Sequence, residues 1–209
     1  MDTPHAIAAF TLAAGLLTVT PGLDTALVLR TTAVEGPRRG MQAAFGIALG
    51  CLVWGTAASV GLGALLAASR FAYDVLRVAG ALYILWLGGR MLVAAFRKTA
   101  VAEAEAPAPR GAGSWFWRGF LTNLLNPKIG VFYVTFLPLF VPVGANVAAF
   151  SLLLTAIHVA EGTAWFWLLT TALKPLADWI RNGRVTRVLD GITGGVLLAF
   201  GVGLFLERR

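Results

Sequence analysis

Long apolar runs, each about the length of one helical membrane crossing, follow one another along this chain with only short polar separators between them. A helix needs roughly 20 apolar residues to cross about 30 Å of hydrocarbon, so a chain of 209 residues with short loops holds about six such crossings. With 58% hydrophobic and 13% charged residues, and a mean hydropathy of +0.77, a soluble globular core is excluded. The runs are continuous rather than alternating, which disfavours a membrane β-barrel. The expected fold is an all-α integral membrane protein whose surroundings are the lipid bilayer.

The net charge of +7 is scattered between the apolar runs instead of being gathered on one face, so membrane topology accounts for it and nucleic acid is not an expected partner. The single cysteine, Cys51, stands inside an apolar stretch and excludes an intrachain disulfide framework, a CxxC redox pair and a thiolate metal cluster. No Lys or Arg precedes Arg30, so the first apolar run lacks the basic flank of a secretory signal and is expected to be retained as a helix.

The hydropathy pattern places spans at Pro4 to Leu29, Gly40 to Ala68, Phe71 to Phe96, Gly119 to Val141, Ala145 to Leu173 and Val188 to Leu206. The separators carry breakers and charge: Glu35-Gly36-Pro37 within Arg30 to Arg39, an Ala/Pro/Glu/Gly linker over 97–118, the turn Pro142-Val143-Gly144, and the basic stretch Lys174 to Arg187. The first, third and fifth loops hold eleven Lys or Arg against four on the other side, Arg70, Arg77, Arg208 and Arg209. Cytoplasmic loops retain basic residues, so both termini are expected outside and the linker inside.

That linker divides the chain into a first three-helix unit, 1–96, and a second, 119–209. An odd number of spans per half means that a repeated half is inserted upside down, as in transporters whose substrate site is built by helices broken inside the membrane. The first span of each half is interrupted by proline, in Thr20-Pro21-Gly22-Leu23-Asp24 and in Asn123-Leu124-Leu125-Asn126-Pro127-Lys128. Proline removes a donor and frees carbonyls where there is no bulk water, and a hydrated polar cavity is one way to satisfy them. A packed proline kink would be equally acceptable on proline alone. Each break, however, also carries an ionisable residue, Asp24 or Lys128, and a charge near the bilayer centre costs roughly 2.5–3.5 kcal/mol. Such groups should face the interior and find partners.

These residues resemble the LysE/RhtB family of amino-acid exporters. The similarity lies in Thr20-Pro21-Gly22-x-Asp24, the glycine-spaced second span, Gly80-x-x-Tyr83-x-x-x-x-Gly88, and Gly119-x-x-x-Asn123-x-x-Asn126-Pro127-Lys128. The chain departs from the family's frequent Pro-Gly-Pro by having Leu23 at the second proline. The resemblance implies six transmembrane helices in a 3+3 inverted repeat with a proline-broken first helix in each half. It also implies export of amino acids or small derivatives across a bacterial inner membrane by proton antiport.

The expected substrate-binding residues are Pro21, Gly22, Asp24, Asn123, Asn126, Pro127 and Lys128. A substrate carboxylate is expected at Lys128 and the helix start after Pro127, with the ammonium at Asp24 or Glu161. His158 and Glu161 stand three apart on the fifth span, on one helical face. Alone, His158 reads as a hydrogen-bonded interior histidine. Glu161 must be paired, protonated or hydrated at mid-membrane, which makes it the proton-coupling candidate, with Asp24 as rival and His158 as modulator. Without an HExxH or a Cys/His set no metal is expected, and without Walker, GxGxxG or GxSxG motifs neither a cofactor nor ATP hydrolysis is supported. Gly46-x-x-x-Gly50 and Gly191-x-x-x-Gly195 read as close helix packing or homodimer contacts, Arg90 as a snorkelling anchor, and Trp115 and Trp117 as interfacial anchors. The function expected is a secondary carrier for a small zwitterion and protons; a channel is the alternative, and an intramembrane enzyme ranks below it.

Overall fold

A computed structural model of the chain describes residues 2–68, 75, 78, 82, 85–86, 88–90, 92–93, 95–96, 114–171 and 183–206. Every regular element among them is helical. Most of the expected third span, with Gly80 and Tyr83, lies outside the described residues. So do 97–113 of the linker, Arg70, Arg77, residues 172–182 and the last three residues, so the basic residues there carry no structural account.

Helix α1, Thr3–Val19, starts where the Asp2 side chain accepts from the His5 N–H at 3.2 Å. It stops before Pro21, and the chain turns by 50° into α2, Leu23–Glu35. The interruption falls at Pro21 as expected, and the pair runs on to Glu35 rather than ending at Leu29. The polar stretch Arg30 to Arg39 is not a loop either, because Gly36 (φ 91°) alone separates α2 from α3, Pro37–Ala68. Only glycine adopts that angle without strain, and Pro37 presets the first turn of the next helix.

Helix α4, Trp115–Leu124, is capped by Ser114 and ends at Leu125-Asn126. Helix α5, Pro127–Val131, follows, widens into a π turn, Phe132–Phe136, and then tightens into a 3₁₀ turn, Leu137–Phe140. A turn with Gly144 at φ 84° leads into α6, Val147–Thr171. Helix α7, Gly183–Leu206, begins earlier than Val188, so Arg184 and Arg187 lie on the helix and not in a basic loop. By length and apolarity α3 and α6 can each cross a membrane alone, and α1 with α2 pass the same test only as a bent pair, a broken span or a re-entrant loop, giving two crossings, or three with the bent pair, among the described residues. Exposed Leu12, Phe45, Val60 and Trp167 give the outside of these helices an apolar face suited to lipid.

Helix α3 is the hub, packing on α2, α4 and α6. Its glycines explain why. A Cβ on Gly46 would overlap the Phe116 carbonyl oxygen of α4, and one on Gly119 would overlap the Ala43 carbonyl of α3. Gly50 meets the Asn123 side chain in the same way. In α7 it is Gly194 that sits on a neighbour, against Gly88, whereas Gly195 meets none of the described residues. At one end of the bundle Phe10 of α1 packs on Phe132 and Phe140, with ring centroids 5.8 and 5.5 Å apart. The Arg90 guanidinium lies over Trp86, and that of Arg118 over Trp115.

Gly46→Ala should destabilise the protein by about 1–3 kcal/mol, because backbone of a second helix has to move. Gly61→Ala, with no atom of the described residues within 4 Å of the added carbon, should be neutral or slightly stabilising through helix propensity. Unfolding midpoints in detergent measure both, and equal midpoints for the two variants would contradict this packing.

Candidate functional site

The two helix breaks face one another across a cavity with about 540 Å³ of unfilled space, part of it open to the outside. Its lining includes Thr20, Gly22 and Asp24 at the first break, Asn126 and Lys128 at the second, and His158 from α6.

Proline ends α1 and leaves carbonyls without helical donors. The Lys128 ammonium takes two of them, donating to Leu17 O at 3.1 Å and to Thr20 O at 3.2 Å. A cation at the C-terminal end of α1 also meets the negative end of its dipole. The Thr20 hydroxyl is 2.7 Å from that of Thr193, which ties the same break to α7.

Asp24 lies in the first turn of α2, where the helix dipole favours an anion. It is 8% exposed, and its Oδ2 accepts from Asn123 Nδ2 at 2.8 Å. Oδ1 is buried with no hydrogen-bond partner among the described residues. Asn123 itself is fully buried behind Asp24, and its Nδ2 also reaches Cys51 Sγ at 3.4 Å. Asn126 caps α5: its Oδ1 accepts from the Lys128 N–H at 3.0 Å, so the donor expected to be free after Pro127 is already engaged. Asp24 and Lys128 thus line one cavity through separate partners, and no ion pair joins them.

His158 and Glu161, adjacent on α6, enter different surroundings. His158 is buried on the cavity wall, its Nδ1 3.0 Å from the Tyr133 hydroxyl. Glu161 is half-buried beside α1, where a Cβ on Gly15 would sit 3.8 Å from its Oε1, and its Oε2 has no partner among the described residues. It is not among the residues lining the cavity. No group of three His, Cys, Asp or Glu able to hold a metal occurs among the described residues.

Sequence reasoning missed Tyr133, Thr193 and the place of Cys51 on the cavity wall. For Tyr133 the spacing offers no signal, since the π turn that swings it toward His158 has no sequence signature. Thr20 was within the recognised motif, but its partner on α7 lies 173 positions away.

A profile of LysE-type translocators matches residues 16–208. The chain is 31% identical over 197 residues to the threonine efflux protein of Escherichia coli K12, covering 91% of this chain and 92% of that protein. It is 36% identical over 138 residues to the leucine efflux protein of Klebsiella pneumoniae, covering 65% and 64% respectively. An uncharacterized Bacillus subtilis membrane protein, YrhP, is 29% identical over 95% of the chain and 97% of its own length. No solved structure matches. The chain belongs to the LysE-type translocator family of membrane transporters, which are not enzymes.

Proposed function

We propose that this chain is a secondary carrier that exports amino acids, or small derivatives of them, from a bacterial cytoplasm across the inner membrane in exchange for protons. The observation that carries the reading is the convergence of two broken helices on one cavity. That cavity brings a buried carboxylate and an ammonium together without pairing them directly. Similarity to threonine and leucine efflux proteins makes neutral amino acids the first substrates to test.

In this reading the chain forms a 3+3 inverted repeat with both termini outside, and each half contributes its proline-broken first span. Asp24, held by Asn123, faces the substrate, while Pro21, Gly22, Asn126, Pro127 and Lys128 shape the break around it. Protein interior carrying ionisable groups at membrane depth is a usual place for substrate and proton pathways. Glu161 is the proposed proton carrier because its Oε2 lacks a fixed partner. His158 acts on it only indirectly, being held toward Tyr133.

Proteoliposomes preloaded with L-threonine or L-leucine should show saturable counterflow; uptake that rises linearly with concentration would favour the channel alternative. Asp24→Asn and Lys128→Met should each lower counterflow by at least about tenfold at wild-type protein abundance, a loss that corresponds to ~1.4 kcal/mol. Normal rates in both variants would remove the cavity from the transport path.

Proton coupling is read separately, as substrate-induced proton flux in vesicles. Glu161→Gln should lose export driven by a pH gradient while keeping substrate counterflow. An unchanged proton-to-substrate ratio would transfer the role to Asp24 or exclude proton antiport.

A further inference from the structure

The two restarted helices differ in how their first turns are closed. At α5 the Asn126 side chain takes the Lys128 N–H. At α2 the cap is Gly22, in extended backbone (φ −161°) and with no side-chain hydrogen bond to the helix. The first helical bond of α2 runs from the Ala26 N–H to the Gly22 carbonyl at 2.9 Å. The N–H groups of Leu23, Asp24 and Thr25 precede that bond and have no intrahelical acceptor. Gly22 and Thr25 both line the cavity, so this open helix end borders it.

A second observation points to a ligand at the same place. Asp24, 8% exposed, has one carboxylate oxygen fixed by Asn123 and the other, Oδ1, buried and without a partner. A buried anionic oxygen without a donor is costly unless something supplies one. Asn126 and Lys128 both stand near this carboxylate, yet neither makes a hydrogen bond to Oδ1, and two of the three ammonium donors of Lys128 go to the carbonyls of Leu17 and Thr20. The ammonium nevertheless stays close, 3.6 Å from where a Cβ on Gly22 would lie, and adds positive charge beside the open helix end. Among the described residues, backbone donors and an anionic acceptor without partners therefore stand within one turn of each other, an arrangement complementary to a carboxylate and an ammonium on adjacent atoms.

We propose that the α-carboxylate of an amino acid docks on the open N-terminus of α2 at Gly22 and its α-ammonium on Oδ1 of Asp24. Apart from Asp24 and Lys128 the described lining holds no carboxylate or ammonium, and Ala44, Ile47, Ala48, Val159 and Phe166 form an apolar wall. The site therefore takes intact zwitterions with an uncharged side chain. This rests on the export reading and moves the carboxylate from the α5 start to the α2 start, leaving Lys128 as a positioning residue.

The test is counterflow of L-leucine in proteoliposomes of the full-length protein, inhibited by L-leucine, L-leucinamide, N-acetyl-L-leucine and L-lysine. In the wild type the free amino acid should outcompete the amide, the N-acetyl derivative and lysine by at least about tenfold, equivalent to ~1.4 kcal/mol. Gly22→Ser supplies a hydroxyl that caps the α2 N–H groups from within the chain. It should bring acid and amide to near parity without lowering the unfolding midpoint. Gly22→Ala adds bulk at ordinary contact distance but no cap, and should reduce the preference less than serine does. Equal inhibition by acid and amide in the wild type overturns the subsite, as does an unchanged preference in Gly22→Ser or an equal fall in both variants. If the wild type shows no saturable counterflow of L-leucine or L-threonine, the export reading itself fails and the subsite with it.

Discussion

Lys128 closing the broken end of α1 is the contact on which the rest of the site depends. Pro21 stops the helix and leaves the carbonyls of Leu17 and Thr20 facing the protein interior, where an unsatisfied backbone group costs several kcal/mol. The donor comes from the other half of the chain, 108 and 111 positions away. With α5 held at the end of α1, Asn123 at the end of α4 lies against Asp24 at the start of α2. Each break thus supplies what the other lacks, and the cavity is the space between them.

Close packing keeps this geometry in place. Gly46 and Gly119 let α3 and α4 touch through their backbones, and Gly50 leaves room for the Asn123 side chain that holds Asp24. Gly55 does the same for Thr155 on α6. At the far end Phe10, Phe132, Phe136 and Phe140 form a continuous aromatic cluster that joins α1 to α5. The site is consequently bounded by rigid helices, with charges placed at helix ends whose dipoles complement them.

Much of this was legible in the sequence. Continuous apolar runs specified helices, the two proline motifs marked both breaks, and intramembrane charge pointed to Asp24 and Lys128 as inward-facing. What the chain could not reveal was how those groups divide their partners. Opposite charges at two facing breaks are natural partners for each other, but carbonyls freed by Pro21 compete for the ammonium and Asn123 competes for the carboxylate. Similarly, an i, i+3 spacing put His158 and Glu161 on one face, yet a face some tens of degrees wide can meet two different neighbours. Charge in the stretch Arg30 to Arg39 reads as a loop, because hydropathy does not register a charged helix that runs on to Glu35 and resumes at Pro37 with one glycine at its corner.

The central claim is that the two breaks hold each other through Asp24 and Asn123, and a double-mutant cycle measures it most directly. Unfolding free energies of the detergent-solubilised protein are needed for wild type, Asp24→Asn, Asn123→Ala and the double variant. Groups in direct contact should show a coupling of about 0.5–3 kcal/mol, with the double variant less damaged than the sum of the singles. Additive effects, agreeing to within about 0.5 kcal/mol, would mean that Asp24 and Asn123 do not hold the breaks together and would contradict this claim.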